Sequence, residues 1–325
     1  MLLASLAILA GLILLAYSAD KFVDAATAVA RAFGVPPLLI GMLVVGFGTS
    51  APEILVSVNA AWQGNPGLAL GNAYGSNIMN IAVILGLTAL LVPIAVHSSV
   101  VRRELPLLLA VTGLTLVLAY HNAMLTRWDG VILLVAFVLV MGWSIRQGMN
   151  GRDDTLALAL ASDDPPPTGR ALAVQIGWVV LGLVLLIVAS RMLVWGAVVV
   201  AQALGLSDLV IGLTIVAIGT SLPELASSLA AVRKGAHDLA LGNIIGSNLF
   251  NTLIVAGLAV VIAPTALEPD LLHRDLPIMA GLTLLLMFMA FSLKRDGTRR
   301  INRVEGGLLL AVYVGWVGWI LATLG

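Results

Sequence analysis

Two glutamates, Glu53 and Glu224, stand in the middle of apolar runs long enough to cross a bilayer, in the stretches GTSAPE (48–53) and GTSLPE (219–224). An acid at bilayer depth costs a few kcal/mol on insertion scales, so such a residue is by default functional. A protonated glutamate bonded to a neighbouring helix would explain one of them, but a duplicated pair points to shared chemistry. Thr49, Glu53 and Ser57 are spaced by four and share one helix face, as do Thr220, Glu224 and Ser228. Ser50 and Ser221 point about a quarter-turn away, toward a neighbouring helix. Ligation is expected from Thr49, Ser50, Thr220 and Ser221, with Ser57 and Ser228 as supports behind them. Pro52 and Pro223 lack an N–H, which removes the helical donors of the Gly48 and Gly219 carbonyls and loosens the turn that holds Gly46 and Ala217. A plain packing kink is the alternative for each proline.

A second motif follows each first one, GNAYGSNIMN (71–80) and GNIIGSNLFN (242–251). Asn72, Ser76 and Asn80 are again four apart, as are Asn243, Ser247 and Asn251. Asn80 and Asn251 fall near the centres of their runs, where an amide oxygen can complete a cation's shell. Asn77 and Asn248 read as packing groups or as supports behind the ligands, and Gly75 and Gly246 as points of close helix approach. The inventory is two carboxylates, several hydroxyls, two amides and backbone carbonyls. All are oxygen donors, which suit hard cations such as Ca²⁺ and Na⁺. Two carboxylates neutralise one Ca²⁺ or two Na⁺, which is the physical basis of an exchange through one site.

The elements that carry these residues are membrane helices. The chain has 325 residues, is 60% hydrophobic and only 10% charged, whereas soluble domains carry about 25% charged residues. The net charge is zero and no basic domain is present, so nucleic acid is not an expected partner. With no cysteine, thiolate metal sites and disulfides are excluded. The four histidines, His97, His121, His237 and His273, fall at loops or run ends without ligand spacing. No phosphate-binding glycine loop or activated nucleophile is visible, so no enzyme, no ATP-driven pump and no bound cofactor is expected. The first twenty residues lack a basic leader and read as a first transmembrane helix rather than a signal peptide.

Charges and Pro/Gly clusters divide the chain into ten expected spans: 2–18, 36–61, 68–92, 104–119, 128–145, 171–190, 207–232, 239–263, 275–293 and 304–323. A polar, proline-rich linker, Arg146 to Arg170, separates the fifth from the sixth. Its Asp153, Asp154, Asp163 and Asp164 read as solvating charges, because no glycine-punctuated calcium loop accompanies them. Adding 171 to a position in the first half repeatedly finds the same residue: Gly41 and Gly212, Pro93 and Pro264, Arg103 and Arg274, Pro106 and Pro277. Five of six residues match over 48–53 and seven of eleven over 70–80. Five spans per half is an odd number, so the second half enters the membrane inverted. The expected fold is an all-α integral membrane protein of two inverted-topology five-helix repeats, 1–145 and 171–325. Such repeats characterise secondary transporters, with the site at midplane between them. Of 17 Lys and Arg, only Arg127, Arg191 and Arg274 fall on the side of the N-terminus. The positive-inside rule then puts both termini outside and the linker in the cytoplasm.

The paired motifs, 46–80 and 217–251, resemble the α1 and α2 repeats of the calcium/cation antiporter superfamily, which includes sodium/calcium exchangers, and the size resembles its compact bacterial members. The resemblance implies a diamond of sites between the second, third, seventh and eighth spans. Glu53 and Glu224 would bind Ca²⁺ with Thr49 and Thr220. Ser50, Ser76, Ser221 and Ser247, with the carbonyls of Gly46 and Ala217, would add Na⁺ sites. Asn80 follows the family pattern, while Asn251 stands where a well-known version has aspartate. The family also implies that the first and sixth spans slide as a pair, with Gly11, Gly177 and Gly182 permitting close packing. The expected function is Ca²⁺ export against Na⁺ entry across the inner membrane, in the bilayer and without a required protein partner. A Ca²⁺/H⁺ antiporter is the alternative, and a passive cation channel a more distant one.

Overall fold

The computed structural model describes residues 1–97, 100–150, 166–204, 217–291 and 298–323. Residues 151–165, which include the four linker aspartates, and 205–216, the first part of the expected seventh span, lie outside the described residues. The described chain is helical apart from four short strands. Its helices are α1 (Leu2–Phe33), α2 (Pro37–Thr49), α3 (Ala51–Trp62), α4 (Pro66–Leu91), α5 (Arg102–Asn122) and α6 (Arg127–Asn150). The second half supplies α7 (Gly169–Ala203), α8 (Ala217–Thr220), α9 (Leu222–Arg233), α10 (His237–Ile262), α11 (Leu271–Ala290) and α12 (Arg303–Thr323). Among the described residues eight helices are long and apolar enough to span a membrane, and the bent pair α2–α3 passes the same test when its two helices are counted as one span.

Two of the expected spans are too short. The helix starting at Leu2 does not stop at 18 but runs for 32 residues to Phe33, and the sixth runs for 35, from Gly169 to Ala203. Asp20, Lys21 and Asp24 follow the expected span directly, yet they sit within an alanine-rich stretch of good helix formers. The true stop is Gly34, whose left-handed φ of 61° places a cap N–H on the Ala30 and Arg31 carbonyls. At 1.5 Å per residue α1 and α7 are about 48 and 52 Å long, longer than a bilayer's hydrocarbon core of about 30 Å. The expected linker is shorter than 146–170, because α6 continues to Asn150 and α7 begins at Gly169.

The repeat seen over 41–106 continues in the contacts. Strands β1 (Ile94–His97) and β4 (Thr298–Ile301) pair antiparallel, with Ile94 opposite Ile301. Strands β2 (Met124–Leu125) and β3 (Thr265–Ala266) pair in the same way, with Leu125 opposite Thr265. Ile94 and Thr265 are related by the 171-residue offset, and Leu125 and Ile301 by an offset five longer. The same two offsets relate two backbone approaches. A Cβ on Gly306 of α12 would lie 2.6 Å from the Gly86 carbonyl of α4, and one on Gly130 of α6 2.8 Å from the Gly257 carbonyl of α10. They also relate two helix starts: Asp129 accepts from the Thr126 N–H, and Glu305 from the Asn302 N–H. A five-residue insertion therefore hides a correspondence that residue identity no longer shows.

Most of these contacts cross between halves. α6 packs on α10, α12 on α4, and α5 on α11, while α4 and α10 are the most enclosed helices. α1 and α7 pack on each other along their length, at Gly11 against Leu193, Gly182 against Phe22, and Gly196 against the Ala4 backbone. Gly177 has open space around it and takes no part. Two faces of the molecule are marked by the strand pairs, β1–β4 at one end of the helices and β2–β3 at the other.

Candidate cation site

The bend that brings the first motif into position is local. α2 and α3 meet at 45° at Ser50, whose φ of −82° and ψ of 1° lie outside the helical region. Ser221 repeats this backbone, with φ −91° and ψ 5°, between α8 and α9. In both cases proline follows at the second residue of the next helix, where its missing N–H does no harm to that helix but leaves the previous one uncapped. The motif's other helix widens at the corresponding place. π-helical turns begin at Asn80 in α4 and at Asn251 in α10, a feature that recurs at functional sites.

Beside these breaks the expected ligands lie inside the helix bundle. Glu53, Glu224, Thr49, Ser50, Ser221, Ser76, Ser247, Asn80 and Asn251 are all buried, and Thr220 is half-buried. The pairing runs across the repeat. Ser50 of the first half donates to Glu224 of the second, Oγ to Oε1 at 3.4 Å, and Thr49 also faces Glu224. Reciprocally, Thr220 lies beside the Glu53 carboxylate, and the two glutamates face each other. Gly46 is buried, and its carbonyl is approached by the Ser247 hydroxyl at 3.5 Å. Ala217 opens α8 as its first described residue.

Several oxygens of this group make no hydrogen bond of good geometry: both oxygens of Glu53, Oε2 of Glu224, Oδ1 of Asn80, Oδ1 of Asn251 and Oγ of Ser221. Leaving a buried polar atom unpaired costs about 1–3 kcal/mol. Buried oxygens of this kind, contributed by both halves, suit a hard cation, which takes six to eight of them. The carbonyls released by the prolines are a different matter. Neither is left over as expected: a backbone N–H at the Ser50 turn donates to the Gly48 carbonyl, and the Ser190 hydroxyl of α7 donates to the Gly219 carbonyl at 2.5 Å.

Two residues mentioned only for their spacing prove to organise the site. Asn243 donates through Nδ2 to the Glu224 carbonyl (3.2 Å), Ser227 (3.1 Å) and Ser228 (2.9 Å), and its Oδ1 accepts from Thr49 at 3.3 Å. Asn72 donates to the Glu53 carbonyl at 3.3 Å and to Ser57 at 2.9 Å. Ser57 and Ser228 thus stand behind the glutamates, as their spacing suggests. The signal for the two asparagines was present, since each sits one turn before a serine of the site. Asn77 donates to Thr252 at 2.7 Å and to the Met279 sulfur, a packing role as expected. Among the glycines, Gly246 meets the Met42 backbone of α2, but Gly75 meets nothing within 4 Å and is not a contact point. Close approach occurs instead at Gly41, whose Cα faces the Leu239 carbonyl with no room for a Cβ.

Around the site, the ends of the helices are tied by charge. On the β1–β4 face Lys234 bonds Asp24 at 2.7 Å and the Asp20 carbonyl at 2.9 Å. His97 meets Asp238 at 2.7 Å on the same face, and this hydrogen bond raises the imidazole pKa above its usual value. On the other face Arg274 bridges Asp270 and Asp275, each at 2.8 Å.

The family model described as sodium/calcium exchanger protein matches residues 3–146 and 174–322. Over 317 residues, 97% of this chain and 98% of the other, the sequence is 49% identical to a putative antiporter, CaxA, of Alkalimonas amylolytica. It is 30% identical to the sodium/calcium exchanger MaX1 of Methanosarcina acetivorans, over 96% of this chain and 97% of the other. The fold is similar to that of the sodium-calcium exchanger NCX_Mj, with TM-score 0.84, 33% identity, and 98% and 99% of the two chains covered.

Proposed function

Because the chain belongs to the sodium/calcium exchanger family, we propose that it exchanges Ca²⁺ for Na⁺ across the inner membrane by alternating access through the Glu53–Glu224 site. The carrying observation is the apposition of the two buried glutamates across the repeat, each beside hydroxyls of the opposite half. Glu53 and Glu224 supply two negative charges, which one Ca²⁺ balances. Thr49, Thr220, Asn80, Asn251 and the carbonyls of Gly46 and Ala217 supply neutral oxygens, and Ser50, Ser76, Ser221 and Ser247 surround positions for Na⁺. Either load neutralises the pair, whereas an empty site moves two facing carboxylates through a region of low dielectric. The desolvation of that uncompensated charge makes return of the empty site slow and couples the two fluxes.

Ten spans in two inverted repeats, 1–145 and 171–325, accommodate this site at the midplane between halves. The shared offsets of the two strand pairs and the two glycine pairs support that arrangement. The distribution of Lys and Arg supports both termini outside and the 146–170 linker in the cytoplasm. A relative from Escherichia coli, 42% identical, is named an inner membrane protein, in line with that location.

Radiolabelled Ca²⁺ uptake into proteoliposomes tests the proposal. Uptake should require Na⁺ in the opposite compartment and stop when that Na⁺ is removed. Uptake driven by a pH gradient without Na⁺ would assign the coupling to protons instead, and current without any counter-ion would assign a channel.

A further inference from the structure

The two halves are not in the same state. α1 lies along α9 on the β1–β4 face, where Ala230 is 6% exposed and Lys234 is bonded to Asp24. α7 makes no comparable contact with α3 on the β2–β3 face, and Asn59, the residue related to Ala230 by the 171-residue offset, is exposed. Among the described residues the β1–β4 face is closed and the β2–β3 face open. A second inequality lies deeper. α7 packs against α8, and there Ser190 makes its 2.5 Å bond to the Gly219 carbonyl. α1 makes no comparable contact with Phe47–Thr49, the related segment. The residue related to Ser190 is Ala19, which has no hydroxyl to offer the Gly48 carbonyl.

In an inverted-repeat transporter the opposite state is reached when the halves exchange conformations. α7 would then stand to α8 as α1 now stands to Phe47–Thr49, out of contact. We propose that Ser190 is a positioning residue whose bond to Gly219 is made only with the β2–β3 face open and is broken when that face closes. The bond sits where Pro223 has removed the helical donor, and breaking it loses a hydroxyl contact that the backbone N–H capping Gly48 does not replace. It therefore weights the resting equilibrium toward the open β2–β3 face, and it does so on one side only, because Ala19 provides no mirror bond. The inference rests on alternating access as proposed above.

The absence of native cysteine allows a direct test in the full chain. Asn59→Cys, reconstituted in liposomes, is labelled by an impermeant maleimide while the β2–β3 face is open. Ser190→Ala should lower the open-to-closed ratio roughly two- to tenfold, the range a single buried hydrogen bond spans, and so slow labelling by at most that factor, and Ser190→Thr should restore it. Ala19→Ser removes nothing and adds the mirror hydroxyl, so it should also slow labelling; it decides the matter if Ser190→Ala does not fold. Unchanged labelling in the folded variants, even with a lowered melting temperature, overturns the proposal and leaves Ser190 a static cap. Labelling is read without Ca²⁺ or Na⁺ flux. A protein that exchanges ions but shows no labelling shift refutes the Ser190 role alone, and a shift without exchange refutes the antiport reading alone.

Discussion

The Ser50 hydroxyl donates to Oε1 of Glu224, 3.4 Å away and 174 positions later in the chain. Each glutamate is thereby held in a setting furnished by the other half, with Thr220 beside Glu53 in return. Neither half contains a complete site, and removal of either acid leaves the other facing a partner's hydroxyls without the second charge.

Glu53→Gln and Glu224→Gln should each lower Na⁺-dependent Ca²⁺ flux by tenfold or more, since contacts to charged groups carry about 1.5–3 kcal/mol. Both variants should elute as folded protein in size-exclusion chromatography, because amide and carboxylate are the same size. Transport at the unsubstituted rate by either variant would overturn the site.

Asn243→Ala removes donors to three oxygens and the acceptor of Thr49, whereas Asn72→Ala removes donors to two. At about 1 kcal/mol per hydrogen bond, the first should cost roughly 2–4 kcal/mol and the second about half as much. Thermal melts in detergent with and without Ca²⁺ provide the comparison. The larger loss of Ca²⁺-induced stabilisation is expected for Asn243→Ala; equal effects would remove Asn243 from its place behind Thr49 and Glu224.

Lys234 ties the end of α9 to α1 through an exposed pair with Asp24. Exposed ion pairs contribute about 0.2–1 kcal/mol and weaken with salt. Lys234→Ala should therefore raise labelling of an Ala230→Cys reporter on the β1–β4 face by about one and a half- to fivefold. The same increase should follow in the unsubstituted chain at high ionic strength. Insensitivity to both would show that α1 and α9 are held by packing alone.

His97 gains its raised pKa chiefly from the hydrogen bond to Asp238, with His237 and Arg300 as the other charged neighbours of that cluster. A group whose folded pKa exceeds its unfolded value stabilises fully below the unfolded pKa and loses that contribution as pH rises through the folded one. The tie between β1 and α10 should thus be strongest below pH 6.5 and fade above it. Melting temperature measured from pH 5 to 9 should show a larger decline for the unsubstituted protein than for His97→Gln. Parallel profiles would show that the pair carries no pH-dependent stability.

Much of the site was legible because its signals are local or repeated. Glu53 and Ser57 sit a helical turn apart, and the 171-residue register duplicates Thr49, Ser50, Glu53, Ser57, Asn72, Ser76 and Asn80. The lengths of α1 and α7 were not legible, because Asp20 and Asp24 look like loop charges until Lys234 is known to lie beside them. Ser190 gave no sign either: its partner carbonyl is 29 residues away and belongs to a helix break, a contact set by tertiary packing. The last spans of the two halves show their kinship only in contacts, since the five-residue insertion shifts Gly306 and Glu305 out of register with Gly130 and Asp129.

Each strand pair takes one edge from either half, β1 with β4 and β2 with β3, and an unpaired edge invites another chain. A half cut free of the other would therefore expose two strand edges and associate through them, so the two halves hold each other together at both ends of the helices as well as at the site between them.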